Sequence, residues 1–164
     1  MGFNVITAAP ESDVVLIDTV TLSGDASKTI SSSISADYKA YMIVCDITGI
    51  TQNCDIGIRF NGDAGNNYAF TELQNPATMA SSGGVGYYRL GSLINDSHSA
   101  QAIVKFFRAA GDGNQHACFG GCCYATKISY TGYWNGSADP ITSVSIVASA
   151  GAMTGTCYIY GLKY

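Results

Sequence analysis

Apolar residues in this chain recur at every second position, in short runs ended by turn formers, and never at a helical spacing for more than a turn or two. Alternation of that kind belongs to a half-buried strand, whose successive side chains point to opposite faces. The clearest run is Tyr38–Ile47, with Tyr41, Ile43, Cys45 and Ile47 facing one way and Met42 and Val44 the other. Apolar residues on both faces mark it as a central strand.

Similar runs cover Val14–Leu22, Ser27–Ile34, Cys54–Phe60, Gly86–Leu93, Ala100–Arg108, Ile141–Ala148 and Gly155–Tyr164. In Val14–Leu22 the pattern places Val14, Leu16, Val20 and Leu22 on one face, interrupted by Asp18. The serines of Ser27–Ile34 suit an edge. Asn61–Asn67 is a dense cluster of turn formers and predicts a hairpin tip between Cys54–Phe60 and a strand restarting at Tyr68, with its residues supplying turn propensity only. Asn75–Gly86, small and polar, reads as a mobile loop. Ala117–Tyr130 reads as one interrupted strand with a bulge at Gly120-Gly121.

About nine or ten strands at a spacing of roughly 8–12 residues imply an all-β chain. The fold expected is a single antiparallel β-sandwich of jelly-roll type over residues 13–164, after a short N-terminal arm, residues 1–12. Composition agrees: there are only two glutamates, Glu11 and Glu72, and five lysines, against 11 tyrosines and 19 glycines. Helix surfaces need the former, and pleated surfaces and turns the latter.

Charged residues make up 12% and the net charge is −4, against ~25% charged residues in ordinary soluble domains. So acidic a chain offers nucleic acid no basic footprint and an anionic membrane no polybasic patch. No apolar run is long enough to span a bilayer. The start, Met-Gly-Phe-Asn-Val-Ile, has neither a basic nor an apolar leader region, so synthesis and folding in a reducing cytoplasm are expected.

The six cysteines stand at 45, 54, 118, 122, 123 and 157. His116, Cys118 and Cys122 with a distant Cys54 would make a zinc set, but the familiar sites repeat a C-x2–4-C pair twice and this chain does not. Free thiols are expected, with Cys45 and Cys157 acting as small buried hydrophobes on strands.

Catalytic motifs are missing: there is no nucleophile elbow, phosphate loop or dinucleotide fingerprint. His98 and His116 both read as solvated loop residues, and most of the ten aspartates sit where turns want them. No enzyme activity, cofactor or metal is expected. Of the adjacent tyrosines Tyr87 and Tyr88, only one can face a core.

Two stretches carry a resemblance. Ile58-Arg59-Phe60-Asn61-Gly62-Asp63-Ala64-Gly65-Asn66-Asn67-Tyr68 resembles the RFNGDSGxNY stretch of small virion proteins of tailed bacteriophages. Ile141–Ile146, followed by Gly155-Thr156-Cys157-Tyr158-Ile159-Tyr160-Gly161-Leu162-Lys163, is similar to their ITSIxI…GTxxxLYGLK ending. The resemblance runs over residues 40–164 and implies jelly-roll modules that assemble as trimers and serve as capsid decoration proteins, head fibres or tail-fibre ends. It brings no catalytic residues, and the six cysteines depart from it.

A short arm followed by one sandwich suits a decoration or cement protein on the outer face of the head shell. Its partner would be the major capsid protein, with Phe3, Val5 and Ile6 available to dock. A tail-fibre or receptor-binding tip for a host-surface glycan is the second reading, and a cellular carbohydrate-binding module the third.

Overall fold

A computed structural model describes residues 13–74, 78–93, 99–109, 115–122 and 127–163, with the backbone alone described at 73–74, 78–82 and 127–130. Twelve strands are described there: β1 (Val14–Asp25), β2 (Ser27–Ile30), β3 (Ala40–Ile50), β4 (Cys54–Phe60), β5 (Tyr68–Gln74), β6 (Thr78–Val85), β7 (Tyr88–Leu93), β8 (Ala100–Phe107), β9 (His116–Cys122), β10 (Lys127–Trp134), β11 (Val144–Ala148) and β12 (Met153–Leu162). They form an eight-stranded sheet, β1-β12-β3-β8-β9-β10-β5-β6, and a four-stranded sheet, β2-β11-β4-β7.

The jelly roll is visible once β5, β6, β9 and β10 are set aside. The remaining eight strands pair first with last, β1 with β12, then β2 with β11, β3 with β8 and β4 with β7, all antiparallel. Nested pairing of this kind rolls a long hairpin into two sheets facing each other. The other four strands widen one sheet of the sandwich.

The core lies between the sheets. Tyr41, Ile43, Cys45 and Ile47 of β3 all point into it, as their alternation predicts, and β3 lies inside the large sheet. Phe60 of the small sheet enters an aromatic cluster of the large one, with ring centroids 5.0 Å from Phe106, 5.7 Å from Trp134 and 6.3 Å from Tyr68. β2 is an edge strand, as its serines suggest, but it ends at Ile30 rather than Ile34.

Several expectations are corrected. Val14 and Leu16 are exposed, whereas Val20 packs on the core and Leu22 is buried. A register shift between Leu16 and Asp18 inserts Ile17 as an extra residue and swaps the face of everything before it. The stretch expected to be a mobile loop contains β6, paired with β5 from Thr78 to Val85. The supposed single strand over 117–130 is two antiparallel strands, β9 and β10.

Gly120-Gly121 is no bulge, because the register from Ala102↔Cys122 to Phe106↔Cys118 is unbroken. Gly120 is needed for close approach instead: a Cβ there would lie 2.5 Å from the Ile103 carbonyl oxygen. Finally, β4 and β5 are not a hairpin. β4 pairs with β11 and β7, and β5 with β10 and β6, so Asn61–Asn67 carries the chain from one sheet to the other.

Candidate interaction surface

The sheet-crossing loop is built around Asp63. Its carboxylate accepts hydrogen bonds from Trp134 Nε1 at 2.6 Å, Gly65 N at 2.8 Å and Asn67 Nδ2 at 2.9 Å. Its carbonyl accepts the Tyr68 hydroxyl at 3.0 Å, and that hydroxyl oxygen accepts Phe60 N at 2.9 Å. Burial works against the charged form, but the bonds from Trp134, Asn67 and Gly65 and the charge of Arg59 outweigh it, so the carboxyl sits below its ordinary value. Burial pushes the Tyr68 hydroxyl well up.

Asn61 adopts a left-handed backbone, φ 50°. Its Oδ1 accepts from Thr142 N, Thr142 Oγ1 and Ser143 N, which ties the loop to the lead-in of β11. The loop therefore supplies much more than turn propensity. Both carboxylate oxygens of Asp63 are engaged by the protein's own donors.

His116 is fully buried on β9, not solvated. Its Nδ1 lies 3.4 Å from the Phe107 carbonyl oxygen and its Nε2 3.2 Å from that of Ser137, and its ring packs 5.0 Å from Trp134. Cys118, next inward on β9, donates from Sγ to the His116 carbonyl at 3.4 Å, and burial raises its pKa strongly. No group of three or more metal-ligating side chains comes together among the described residues. His98 and Cys123 lie outside them, as do Phe3, Val5 and Ile6.

Cys45 and Cys157 are directly opposite on β3 and β12, with their sulfurs 2.7 Å apart and both thiols buried. The Cys157 sulfhydryl and burial hold the Cys45 thiol well above its ordinary value.

The carboxylates that could suggest acid–base chemistry share one cation. Arg89 of β7 is ion-paired with Asp55 of β4, its Nε 3.0 Å from the carboxylate, and reaches across the sandwich to the buried Glu72 of β5, to which a terminal nitrogen donates at 3.3 Å. It also lies 5.4 Å over the Phe70 ring. Asp55 further accepts hydroxyl bonds from Tyr87 at 3.1 Å and from Ser92. Such a network ties the two sheets together, since Asp55 and Arg89 belong to the small sheet and Glu72 to the large one. Tyr88 is the tyrosine of its pair that faces the core, while Tyr87 stays half-buried over Gly57.

Among the described residues, large exposed apolar side chains gather on the outer face of the large sheet. Leu16, Tyr160, Met42, Lys105, Phe119 and Thr131 stand opposite one another across successive strands. Tyr158, Val44 and Ile103 form a neighbouring row, and Phe107 of β8 and Tyr133 of β10 are exposed as well. Leu16 (52%), Phe119 (47%) and Ile103 (46%) keep about half their surface in water. A dent of about 380 Å3 between Phe119 and Tyr133 is floored by Ala69, Thr71 and Thr131. The sequence carried a signal for this face: Ile103 and Phe107 alternate with the equally apolar Val104 and Phe106, so one set had to face outward.

No protein-family model matches the chain, and no curated protein matches it. Solved structures with a similar course of chain include a mutant GH43 protein, BlXynB, from Bacillus licheniformis, 11% identical over 89% of this chain at a TM-score of 0.40; the chain spans 32% of that protein. The alginate lyase Aly36B is 13% identical, with 89% of this chain and 82% of that one covered at 0.40. A tetrameric galectin from the ball sponge Cinachyrella sp. is 8% identical, with 84% and 99% covered at 0.35.

Proposed function

We propose that this chain is a non-enzymatic structural protein of a tailed-phage particle, a decoration protein that binds the outer face of the head shell as a homotrimer after synthesis in the host cytoplasm. The observation that carries this reading is the exposed apolar face of the eight-stranded sheet. Eight strands at ~4.8 Å make a surface roughly 38 Å wide, and ordinary interfaces bury ~800 Å2 per partner. A face of that width, bearing Leu16, Ile103, Phe119 and Tyr158 on a chain with only 12% charged residues, suits contact with further copies.

The two stretches that resemble phage virion proteins hold fold-bearing places here. One is β4 with the Asp63-centred crossing, and the other is β11 and β12. Closed symmetry is the rule for homo-oligomers, and the resemblance selects threefold. Phe3, Val5 and Ile6 are the proposed contacts to the major capsid protein.

Light scattering on purified protein, followed by co-sedimentation with undecorated shells, tests this. The expected result is a trimer that pellets with shells, and a variant lacking residues 2–9 that stays trimeric but no longer pellets. A stable monomer refutes the trimer. Undiminished pelleting of the truncated chain refutes the arm contact and moves docking to the sandwich. A tail-fibre or receptor-binding tip is the second reading, favoured by the dent between Phe119 and Tyr133, whose aromatic walls suit a sugar ring. Recovery of the protein with purified tails rather than heads selects it.

A further inference from the structure

We propose that a cleft at the β3-entry end of the sandwich binds an acidic sugar unit, its carboxylate held by Lys39 and Arg108 and its ring resting against Tyr38 and Phe107. The cleft encloses about 520 Å3 and is lined by Tyr38, Lys39, Phe107, Arg108, Gln115 and Ala117. That volume falls among those of small-ligand sites, which combine apolar walls with a few placed polar groups.

Its frame is built from main-chain bonds. Arg108 N donates to the Lys39 carbonyl at 3.0 Å, Lys39 N to that of Leu162 at 3.3 Å, and Ile141 N to that of Arg108 at 2.9 Å. The Tyr38 ring lies on Gly161, where a Cβ would stand 2.3 Å from it, and meets Tyr41 edge-on at 5.9 Å. One wall is therefore set before any ligand arrives.

Charge selects the ligand. The chain is acidic overall, with eight cationic side chains, yet Lys39 and Arg108 both line this one cleft, and Lys105 Nζ lies 5.9 Å over the Phe107 ring. Among the described residues, Lys39 and Arg108 take part in no ion pair. Asp37, two residues before Lys39, is engaged by Ser35 Oγ at 3.0 Å. Arg108 Nε is itself sealed from water, so an anion in the cleft would have to meet the terminal nitrogens of the guanidinium.

A neutral apolar ligand would draw nothing from Lys39 and Arg108, and a bare phosphate would leave Tyr38 and Phe107 unused. A ring bearing a carboxylate answers both, since a guanidinium fork matches a carboxylate and an aromatic face takes the sugar's C–H face. Gln115 adds an amide for hydroxyls. The ligand is either a free sugar acid or the acidic unit of a surface polysaccharide. This site stands whether or not the protein decorates a shell.

Calorimetry and ligand-observed NMR with glucuronate, galacturonate, glucose, benzoate and an oligogalacturonate test it. Saturable uronate binding with Kd of about 1 mM is expected, appropriate to a single small unit, with glucose at least tenfold weaker. Phe107→Ala, at an exposed position, and Arg108→Gln should each weaken uronate about tenfold, and Lys39→Ala should flatten its salt dependence. Melting curves and light scattering check that each variant remains folded and assembled; if Arg108→Gln unfolds, Phe107→Ala and Lys39→Ala carry the test. Tighter binding of the oligomer assigns the polysaccharide source, and equal affinity per unit the free acid. Glucose binding as well as glucuronate, benzoate alone binding, or variants indistinguishable from the parent would each overturn the proposal, while leaving the shell-binding reading untouched.

Discussion

Replacing Asp63 by alanine should be costly, although the residue sits in a surface-crossing loop. The Trp134 indole is buried, so losing its carboxylate partner at 2.6 Å leaves a sealed N–H unsatisfied, at about 1–3 kcal/mol. Gly65 N and Asn67 Nδ2 lie nearer the surface and regain water, so their loss adds about 1 kcal/mol together. The expected destabilisation is about 2–4 kcal/mol, a large part of the ~5–15 kcal/mol of a typical domain. For a chain of this length that lowers Tm by about 5–15 °C. Thermal melts followed by Trp134 fluorescence measure it directly.

Asp63→Asn keeps an oxygen for the indole and should recover more than half the loss. Trp134→Phe combined with Asp63→Ala should be clearly less than additive, since both remove one bond. The pH dependence has a definite sign. The folded carboxyl lies below its ordinary value of 3.8, so its contribution is full above that pH and disappears as pH falls through the folded value. The gap between parent and Asp63→Ala should accordingly narrow below about pH 4. An Asp63→Ala protein that melts with the parent, or a double variant that is fully additive, refutes the assignment of Asp63 as the anchor of this crossing.

Ile43→Asp or Ile58→Asp should leave no cooperative melt, because each puts an unpaired charge in a fully buried strand position at a cost of several kcal/mol. Alkylation in denaturant without reductant should modify all six cysteines, whereas the folded protein should protect Cys45, Cys118 and Cys157; a mass lower by two hydrogens per bridge would show disulfides instead. Ile103→Ser with Phe119→Ser should reduce the assembly to monomers in light scattering while shifting Tm of the isolated domain by only a few degrees. Retention of the full oligomeric mass would remove this face from the proposed interface.

The local chain chemistry determined the strands and several of their faces. Alternation is a property of extended backbone itself, so Tyr41, Ile43, Cys45 and Ile47 could be assigned to one face from their spacing alone. What locates a strand's neighbour is different. Cys45 meets Cys157 across 112 positions of chain, and that pairing comes from closure of the roll rather than from any local preference. The same cause made a strand of Thr78–Val85, a glycine- and serine-rich segment with little propensity of its own, by giving it the ladder of β5.

Tertiary structure alone turned Asn61–Asn67 from a hairpin tip into a crossing between sheets, because the partners of β4 and β5 come from distant parts of the chain. It also buried His116 by packing Trp134 against it. The cleft between Tyr38 and Phe107 joins residues nearly seventy positions apart in the sequence. A side chain's period is written in its own backbone. Its neighbours are decided only when the sheets close, which is why the strands were legible and the surfaces they build were not.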